Sequence, residues 1–225
     1  DVRLKGADFH FSVVSVGATA QLMMAAVLAE GVTSLDNVAI EPDMTALAEV
    51  LVQCGAEIEG IGSRQLTIRG VKHLWPIETA IIPDRVEGAT FLAAAAITGS
   101  SLAIGNCEPA HLGVVLRVLE QAGCEVLAGE REVTVRGPAR PAALNVVTEP
   151  FPGFPTDMQA QIMAVCAVAD GTSTITDSLT PRMLSVVRPT MASPSKGSLA
   201  HSQCAGRKEK MASPAAAMLV AMVTT

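Results

Sequence analysis

Two oxygen-bearing side chains stand where helices are predicted to begin. Ser15 precedes the stretch VGATAQLMMAAVLA, and Asp157 precedes MQAQIMAVCAVA. Serine and aspartate are favoured just before a helix, because their side chains accept hydrogen bonds from backbone N–H groups that the first turn leaves unbonded. From the residues alone, helix capping is the better interpretation of both positions.

Acidic residues recur at two further helix starts. The pair Glu41-Pro42 is repeated as Glu108-Pro109. Proline is tolerated in the first turn of a helix, and a carboxylate is favourable there, so helix-start chemistry alone can explain both pairs. From the residues alone, the neighbours Asp84 and Arg85 are interpreted as an exposed ion pair, which contributes little to stability.

The cysteines suggest a reducing compartment. There are five of them, an odd number, and no CxxC spacing occurs. Four lie in apolar helix or strand contexts, so buried, reduced thiols in a cytoplasmic protein are favoured over a metal site or a disulfide framework. We therefore predict no metal site.

Composition excludes several classes of protein. The net charge of −6 argues against a nucleic-acid-binding surface, although a few local cations could still hold a small anion. Hydrophobic residues make up 49% of the chain, but the longest apolar runs, LMMAAVLA and FLAAAAI, are far shorter than the roughly 20 residues that span a bilayer. They indicate buried, alanine-rich helices and no membrane span. No secretory signal is visible, and because the chain begins with Asp1 we expect it to be a piece of something longer.

The candidate residues lie within an internal sequence repeat. Copy one covers residues 16–71 and copy two residues 87–138, with Gly31 matching Gly99 and Arg69-Gly70 matching Arg136-Gly137. A third copy opens at TDMQAQIMAVCAVADG and then stops. Such copies bury their apolar faces against one another.

The repeat is predicted to contain helix, strand, helix, strand and strand. In copy one these are a helix over 19–30 that ends at Gly31, a strand over 32–38, a helix from Pro42 to Gly55, and strands over 56–59 and 65–69. In copy two they are a helix over 89–98, a strand over 101–106, a helix over 109–122, and strands over 124–128 and 131–136. A further strand is predicted over 143–147.

Three segments are expected from this organisation. Residues 1–82 and 83–178 form parts of two domains, with a hinge in the link 72–85. Residues 179–225 lose the repeat pattern and are rich in Ser, Ala, Pro and basic residues. We expect a low-order tail there, and the abrupt change suggests a frameshifted or otherwise aberrant reading of the gene.

Three phrases carry a resemblance to a known family: RLKGADF…VSVGAT, IIPDRVEGATF and PFPGFPTDMQAQ. Together they resemble the UDP-N-acetylglucosamine enolpyruvyl transferases of the EPSP synthase-like family, over about residues 2–178. The resemblance implies an inside-out α/β barrel of repeated βαβαββ units, incomplete here. It also implies transfer of the enolpyruvyl group of phosphoenolpyruvate to the 3′-hydroxyl of UDP-N-acetylglucosamine in peptidoglycan synthesis, with no cofactor.

The same resemblance implies roles for individual residues. Asp157 matches the base for the sugar hydroxyl. The segment Val13, Val14, Ser15, Val16 and Gly17 matches the lining of the uridine diphosphate, where backbone N–H groups and the Ser15 hydroxyl would meet a phosphate. Glu41, Asp84 and Arg85 match residues that face the cleft.

Departures from the family pattern limit the expected activity. Val13 stands where some family members have a lysine, and Ile40 stands where the family usually has an arginine. The mobile loop with its cysteine acid, the N-terminal Lys-Asn pair and the arginines that hold phosphoenolpyruvate have no match in residues 1–178. We therefore expect no turnover by this chain alone, and pairing with a missing N-terminal half. The alternatives are a non-catalytic UDP-sugar-binding or subunit-pairing module, and a degraded gene product.

Overall fold

A computed structural model describes residues 3–178 and 184–187. The chain divides into two compact units. The first contains residues up to Ile82 together with Pro150–Gly153, and the second contains Pro83–Glu149 together with residues from Phe154 onward. The assignment of residues 1–82 and 83–178 to the two domains of an enolpyruvyl transferase stays a prediction.

The first unit holds one repeat and an additional strand in front of it. Its elements are β1 (Asp8–His10), α1 (Val16–Ala26), β2 (Val32–Asp36), α2 (Pro42–Gln53), β3 (Glu57–Glu59) and β4 (Gln65–Arg69). The sheet has the order β1-β2-β4-β3, in which β1 is parallel to β2 and the other pairs are antiparallel. Leu66 and Ile68 alternate with exposed residues along β4, so one face of the sheet packs on the helices.

The second unit holds copy two and the opening of copy three. Copy two comprises α3 (Arg85–Thr98), β5 (Ser101–Gly105), α4 (Pro109–Gln121), β6 (Glu125–Ala128) and β7 (Glu132–Arg136), with the antiparallel order β5-β7-β6. Copy three comprises β8 (Asn145–Thr148), a 3-10 turn (Thr156–Met158), α5 (Gln159–Val168), β9 (Ser173–Asp177) and β10 (Leu184–Val187), with the order β10-β9-β8. One hydrophobic core joins the two copies.

Helix α3 lies at the centre of that core. Its buried residues are Ala89, Leu92, Ala93, Ala95 and Ala96. Small alanines let another helix approach closely, and α5 packs against α3 with Val165 and Cys166 fully buried. The prediction of buried, alanine-rich helices is confirmed here.

Steric crowding explains why both copies one and two end with a glycine after the arginine. A Cβ atom at Gly70 would lie 1.7 Å from the carbonyl oxygen of Ala29, and one at Gly137 would lie 2.2 Å from that of Ala95. No side chain fits at either place. Glycine therefore allows the chain that leaves the last strand to pass against Ala29, which follows α1, in copy one and against Ala95, in the last turn of α3, in copy two.

The predicted end of the first helix at Gly31 is wrong. Helix α1 stops at Ala26, because the next carbonyl groups are bonded from outside the helix. The carbonyl oxygen of Val27 accepts from the Val71 N–H at 2.8 Å, and that of Leu28 accepts from the Arg3 guanidinium at 3.0 Å. Gly31 (φ +93°) instead forms the turn into β2.

The barrel implied by the resemblance is not formed by the described residues. The mixed α/β class is confirmed, but the three sheets are open. Strand β10 falls in the predicted low-order tail, and it pairs antiparallel with β9 as β4 pairs with β2. For these four residues the prediction is wrong, because LSVV supplies apolar, β-branched residues to an otherwise unpaired strand edge. The rest of the tail and the frameshift hypothesis lie outside the described residues.

Candidate functional site

The turn Val13–Gly17 leads into α1 within the first unit. Ser15 is the N-cap of this helix, and its Oγ accepts from the Ala18 N–H at 3.3 Å. The capping interpretation of Ser15 is therefore confirmed. Val13, Ser15, Val16 and Gly17 are exposed and Val14 is half-buried. No acidic residue lies in the first turn of α1, so the partial positive charge of this helix start faces solvent without a carboxylate beside it.

Buried hydrogen bonds tie this helix start to the loop that precedes α2. The Ala39 N–H donates to Oγ1 of Thr19, which is fully buried, at 3.0 Å. Asn37, in the left-handed region at φ +59°, donates from Nδ2 to the Phe11 carbonyl at 2.8 Å. The Val13–Gly17 turn and the loop that ends at Glu41 are thus fixed to each other inside one unit.

Glu41 is a buried carboxylate that does not cap its helix. Only 7% of the residue is exposed, and it makes no side-chain bond to the α2 start. Its Oε1 accepts from the Phe151 N–H at 3.4 Å, while Oε2 has no hydrogen-bond partner among the described residues. Helix-start chemistry therefore does not explain Glu41. A buried oxygen without a donor suits a ligand hydroxyl or amide.

Asp84 and Arg85 begin α3 in the second unit. Oδ1 of Asp84 accepts from the N–H groups of Val86 at 2.8 Å and Glu87 at 3.2 Å. The interpretation of Asp84 as a member of an exposed ion pair is replaced by a helix cap, which also explains why α3 begins four residues before its predicted start. Arg85 is the first residue of the helix and is half-buried.

Asp157 lies in the 3-10 turn that leads into α5. The predicted cap is not made, because neither this turn nor α5 has a side-chain cap bond. The 3-10 turn moves Asp157 inside the helical segment, where its side chain no longer reaches back to the first N–H groups. Asp157 is exposed, and its carboxylate has no hydrogen bond or ion pair to the described residues. It is free to meet a ligand.

A polar pair beside Asp157 was not predicted from the sequence. Gln161 Nε2 donates to Thr90 Oγ1 at 3.0 Å, and this hydroxyl donates to the Val86 carbonyl at 2.8 Å. Oε1 of Gln161 is buried without a partner among the described residues. The pair joins the first half of α3 to the first half of α5, so the helix starts that carry Asp84 and Asp157 lie in one packed layer. The sequence signal that could have indicated this pair is the position of Gln161 within PFPGFPTDMQAQ, one of the segments that carry the family resemblance.

A second unpredicted pair lies in the first unit. His10 Nδ1 lies 2.6 Å from Asp36 Oδ2, and Gln65 Nε2 donates to Oδ1 of the same carboxylate at 3.1 Å. The hydrogen bond from His10, followed by that from Gln65, lowers the pKa of Asp36. The pair is exposed and joins β1 to β2.

Comparison with known proteins decides the family. The family model described as EPSP synthase (3-phosphoshikimate 1-carboxyvinyltransferase) matches residues 1–189.

The chain belongs to the EPSP synthase family.

Two of the curated relatives illustrate the similarity. The protein called UDP-N-acetylglucosamine 1-carboxyvinyltransferase from Geobacter metallireducens is 48% identical over 177 residues, which are 79% of this chain and 42% of the relative. The protein of the same name from Mycobacterium leprae is 47% identical over 176 residues, 78% of this chain and 42% of the relative. The resemblance stated from the sequence is confirmed. The chain spans about two fifths of the length of these relatives.

Two solved structures share the fold. The enolpyruvyl transferase NikO from Streptomyces tendae has a TM-score of 0.63 at 25% identity, covering 72% of this chain and 39% of that one. An EPSP synthase from Acinetobacter baumannii has a TM-score of 0.52 at 20% identity, covering 77% of this chain and 41% of that one, which is a likeness of fold alone. The family match includes β10, although the resemblance read from the sequence ended at residue 178.

Two kinds of feature are absent from the described residues. In residues 3–178 and 184–187, no cluster of three or more His, Cys, Asp or Glu side chains is arranged to hold a metal ion. Within those same residues, no helix has the length and apolar character that crossing a membrane requires. Cys107, Cys124 and Cys166 are buried free thiols and Cys54 is a half-buried one.

Proposed function

We propose that this chain carries part of the site that transfers the enolpyruvyl group of phosphoenolpyruvate to the 3′-hydroxyl of UDP-N-acetylglucosamine, with release of phosphate. The names of the curated relatives support this reaction. It belongs to the first committed step of peptidoglycan synthesis, and the proposal includes the cytoplasmic location that the free cysteines suggested.

The exposed carboxylate of Asp157 is the observation that carries the proposal. The hydroxyl must lose a proton as its oxygen attacks the enolpyruvyl carbon, and a carboxylate within hydrogen-bond reach can accept that proton. An aspartate that capped its own helix would have its oxygens occupied. Asp157 makes no such bond, in the segment where the resemblance puts the base.

The start of α1 is proposed to hold the diphosphate. Exposed N–H groups at a helix start, together with a hydroxyl, form a favourable site for an anion. Ser15 and Gly17 supply a hydroxyl and an open backbone, since no atom lies within 4 Å of the place where a Cβ of Gly17 would stand. Val13 brings no cation to this turn, so we expect weak binding of the nucleotide.

Three further residues are proposed to contact the substrates. Glu41 would accept a hydrogen bond from the ligand at Oε2, the oxygen that has no partner among the described residues. Asp84 holds the start of α3 and thereby positions Arg85, whose guanidinium suits an anionic oxygen.

We further propose that the chain alone binds the UDP-sugar without turnover. The acid that would protonate the methylene carbon, and the arginines that would hold phosphoenolpyruvate, have no match in residues 1–178. Turnover would then need pairing with a polypeptide that supplies them.

Calorimetric titration of the purified chain tests the substrate class. We expect saturable heat with UDP-N-acetylglucosamine, weaker binding of UDP, and none of shikimate 3-phosphate. Addition of phosphoenolpyruvate to the saturated complex should release no phosphate. Binding of shikimate 3-phosphate in preference to the UDP-sugar would contradict the proposed substrate, and phosphate release above the uncatalysed rate would contradict the proposed lack of turnover.

A further inference from the structure

Each repeat has an asparagine or an aspartate at the end of the strand that follows its first helix. These residues are Asn37 after β2, Asn106 after β5 and Asp177 at the end of β9. Asn37 and Asn106 share a positive φ, at 59° and 51°. Asn37 and Asp177 each stand two positions after a buried strand residue, Leu35 and Ile175. One place in the repeat is therefore filled by an oxygen acceptor in all three copies.

In copies one and three this side chain bonds to the end of the strand that precedes the first helix. Asn37 donates from Nδ2 to the carbonyl oxygen of Phe11, which directly follows β1, at 2.8 Å. Oδ1 of Asp177 accepts from the hydroxyl of Thr148, the last residue of β8, at 2.9 Å. Phe11 and Thr148 are both buried, and from each of them the chain runs on to the start of a helix.

Copy two lacks the preceding strand, and its asparagine bonds elsewhere. The described link 72–84, which leads into α3, contains no strand. Oδ1 of Asn106 accepts from Nη2 of Arg131 at 2.7 Å instead. A strand can therefore end in this way without such a bond, and the bonds to Phe11 and Thr148 serve the strand that precedes the helix.

The Thr148–Asp177 bond lies out of contact with water. Thr148 is fully buried and Asp177 is 6% exposed. A carboxylate removed from water needs hydrogen-bond donors, and a hydroxyl bonds more strongly to a charged oxygen than to a neutral one. The bond therefore fixes the end of β8 firmly against β9.

A short path of hydrogen bonds connects the end of β8 to Asp157. The Glu149 N–H donates to the Phe154 carbonyl at 2.8 Å, and the Met158 N–H donates to the Pro155 carbonyl at 3.0 Å. Phe154 and Met158, which lie on either side of Asp157, are 3% and 1% exposed. The turn that carries Asp157 is thus held at its base by Glu149 and at its far end by the core.

We propose that Thr148 and Asp177 are positioning residues for Asp157. This inference rests on the proposed role of Asp157 toward the sugar hydroxyl. The buried bond fixes Glu149, which holds Phe154, and so sets where the Asp157 carboxylate stands relative to a ligand. In open α/β sheets ligands bind beyond the carboxyl ends of the parallel strands, and the bond lies at that edge of the β8–β9 pair.

Hydrogen exchange of the chain without ligand tests the positioning. Thr148→Val keeps the shape of the side chain but removes the hydroxyl, so the Glu149 and Met158 N–H groups should exchange about fivefold faster. The Cys124 N–H, in copy two, reports on the unit as a whole and should change less. Thr148→Ser keeps the hydroxyl and should exchange like the wild type. Unchanged exchange at Glu149 and Met158, an equal change at Cys124, or equal effects of the valine and serine variants overturns the proposal.

Thr174→Val is the matched control. The Thr174 hydroxyl donates to Oδ1 of Asn145 at the opposite end of the β8–β9 pair, so its loss should leave the same two N–H groups unchanged. If Thr148→Val does not fold, Asp177→Asn replaces it, because it keeps an acceptor opposite the hydroxyl and removes the charge. Exchange at the two N–H groups should then rise by a smaller factor, and no rise contradicts the proposal.

Titration with UDP-N-acetylglucosamine shows whether Thr148 acts through Asp157. Thr148→Val should raise Kd about threefold or more, whereas the same change made together with Asp157→Asn should have no further effect, because the positioned carboxylate is already gone. An equal rise in both backgrounds contradicts the positioning role. If the wild type does not bind the UDP-sugar, the proposed function fails, and the exchange measurements still decide whether Thr148 and Asp177 fix the turn.

Discussion

Gln161 Nε2 donates a hydrogen bond of 3.0 Å to Thr90 Oγ1, and this bond joins the first helices of two repeat copies. The Gln161 amide is half-buried, and its other end has no partner among the described residues. The bond is therefore a local determinant of how copy three packs on copy two.

Thr90→Val keeps the shape of the side chain but leaves the half-buried Gln161 amide without its acceptor, so it should destabilise the second unit by about 1–2 kcal/mol. Thr98→Val is the matched control on the same helix. Its hydroxyl bonds to the Ala94 carbonyl near solvent, so the expected change is within about 0.5 kcal/mol. Urea denaturation followed by circular dichroism measures both. Equal effects of the two variants would show that the Thr90–Gln161 bond has no special role.

Much of the fold could be predicted from the sequence, because local signals agree with the tertiary structure. Pro42 and Pro109 begin their helices as expected, and the strand over 65–69 has the predicted bounds. Helix α3 ends at Thr98 as predicted, and Gly99 follows it as the C-cap with φ +62°. In each case the residue that determines the structure lies within a few positions of it.

The remaining features depend on partners distant in the chain. Helix α1 ends early because Val71 and Arg3 bond to the carbonyl groups of the two residues that follow it, and neither Val71 nor Arg3 carries a helix-stop signal. Glu41 is bonded to Phe151, which is 110 residues away, so the repeated Glu-Pro pair could not distinguish Glu41 from Glu108. Asp157 has the residue type of a cap, but the 3-10 turn displaces it from the cap position.

Glu41→Ala should lower the free energy of unfolding by about 1 kcal/mol, since it removes the part-buried hydrogen bond from the Phe151 N–H to Oε1. The control Glu108→Ala changes the matching residue of copy two, which is half-buried and makes no side-chain cap, and should cost less than about 0.5 kcal/mol. Thermal unfolding of both variants measures the difference. If Glu108→Ala costs as much as Glu41→Ala, the burial of Glu41 has no energetic consequence.

Thiol labelling should rank the described cysteines by burial. Burial raises the pKa of Cys124 to about 11. At pH 8 only about one in a thousand of these thiols is ionised, so iodoacetamide should modify the half-buried Cys54 first and Cys124 very slowly. Between pH 8 and pH 9 the rate at Cys124 should rise about tenfold. Mass spectrometry of the peptides distinguishes the sites, and equal labelling of Cys54 and Cys124 would contradict the buried position of Cys124.

The stability of the β1–β2 contact should depend on pH. The hydrogen bond from His10 lowers the pKa of Asp36 below its unfolded value, so its contribution is present above about pH 4 and is lost as the pH falls through the folded pKa. His10→Gln should therefore reduce stability above pH 4 and make no difference in strong acid. Urea unfolding from pH 2 to pH 6 checks this, and a difference that grows as the pH falls would have the wrong sign.

We propose that this chain binds a UDP-sugar, and a thermal-shift titration with UDP-N-acetylglucosamine measures that binding. Binding to the folded state raises the melting temperature with ligand concentration, by an amount that corresponds to about 2.7 kcal/mol at one hundred times Kd. We expect a dose-dependent rise for the wild type and a smaller rise for both Ser15→Ala and Asp157→Asn. A cooperative melt that ligand does not shift at any concentration would contradict the account.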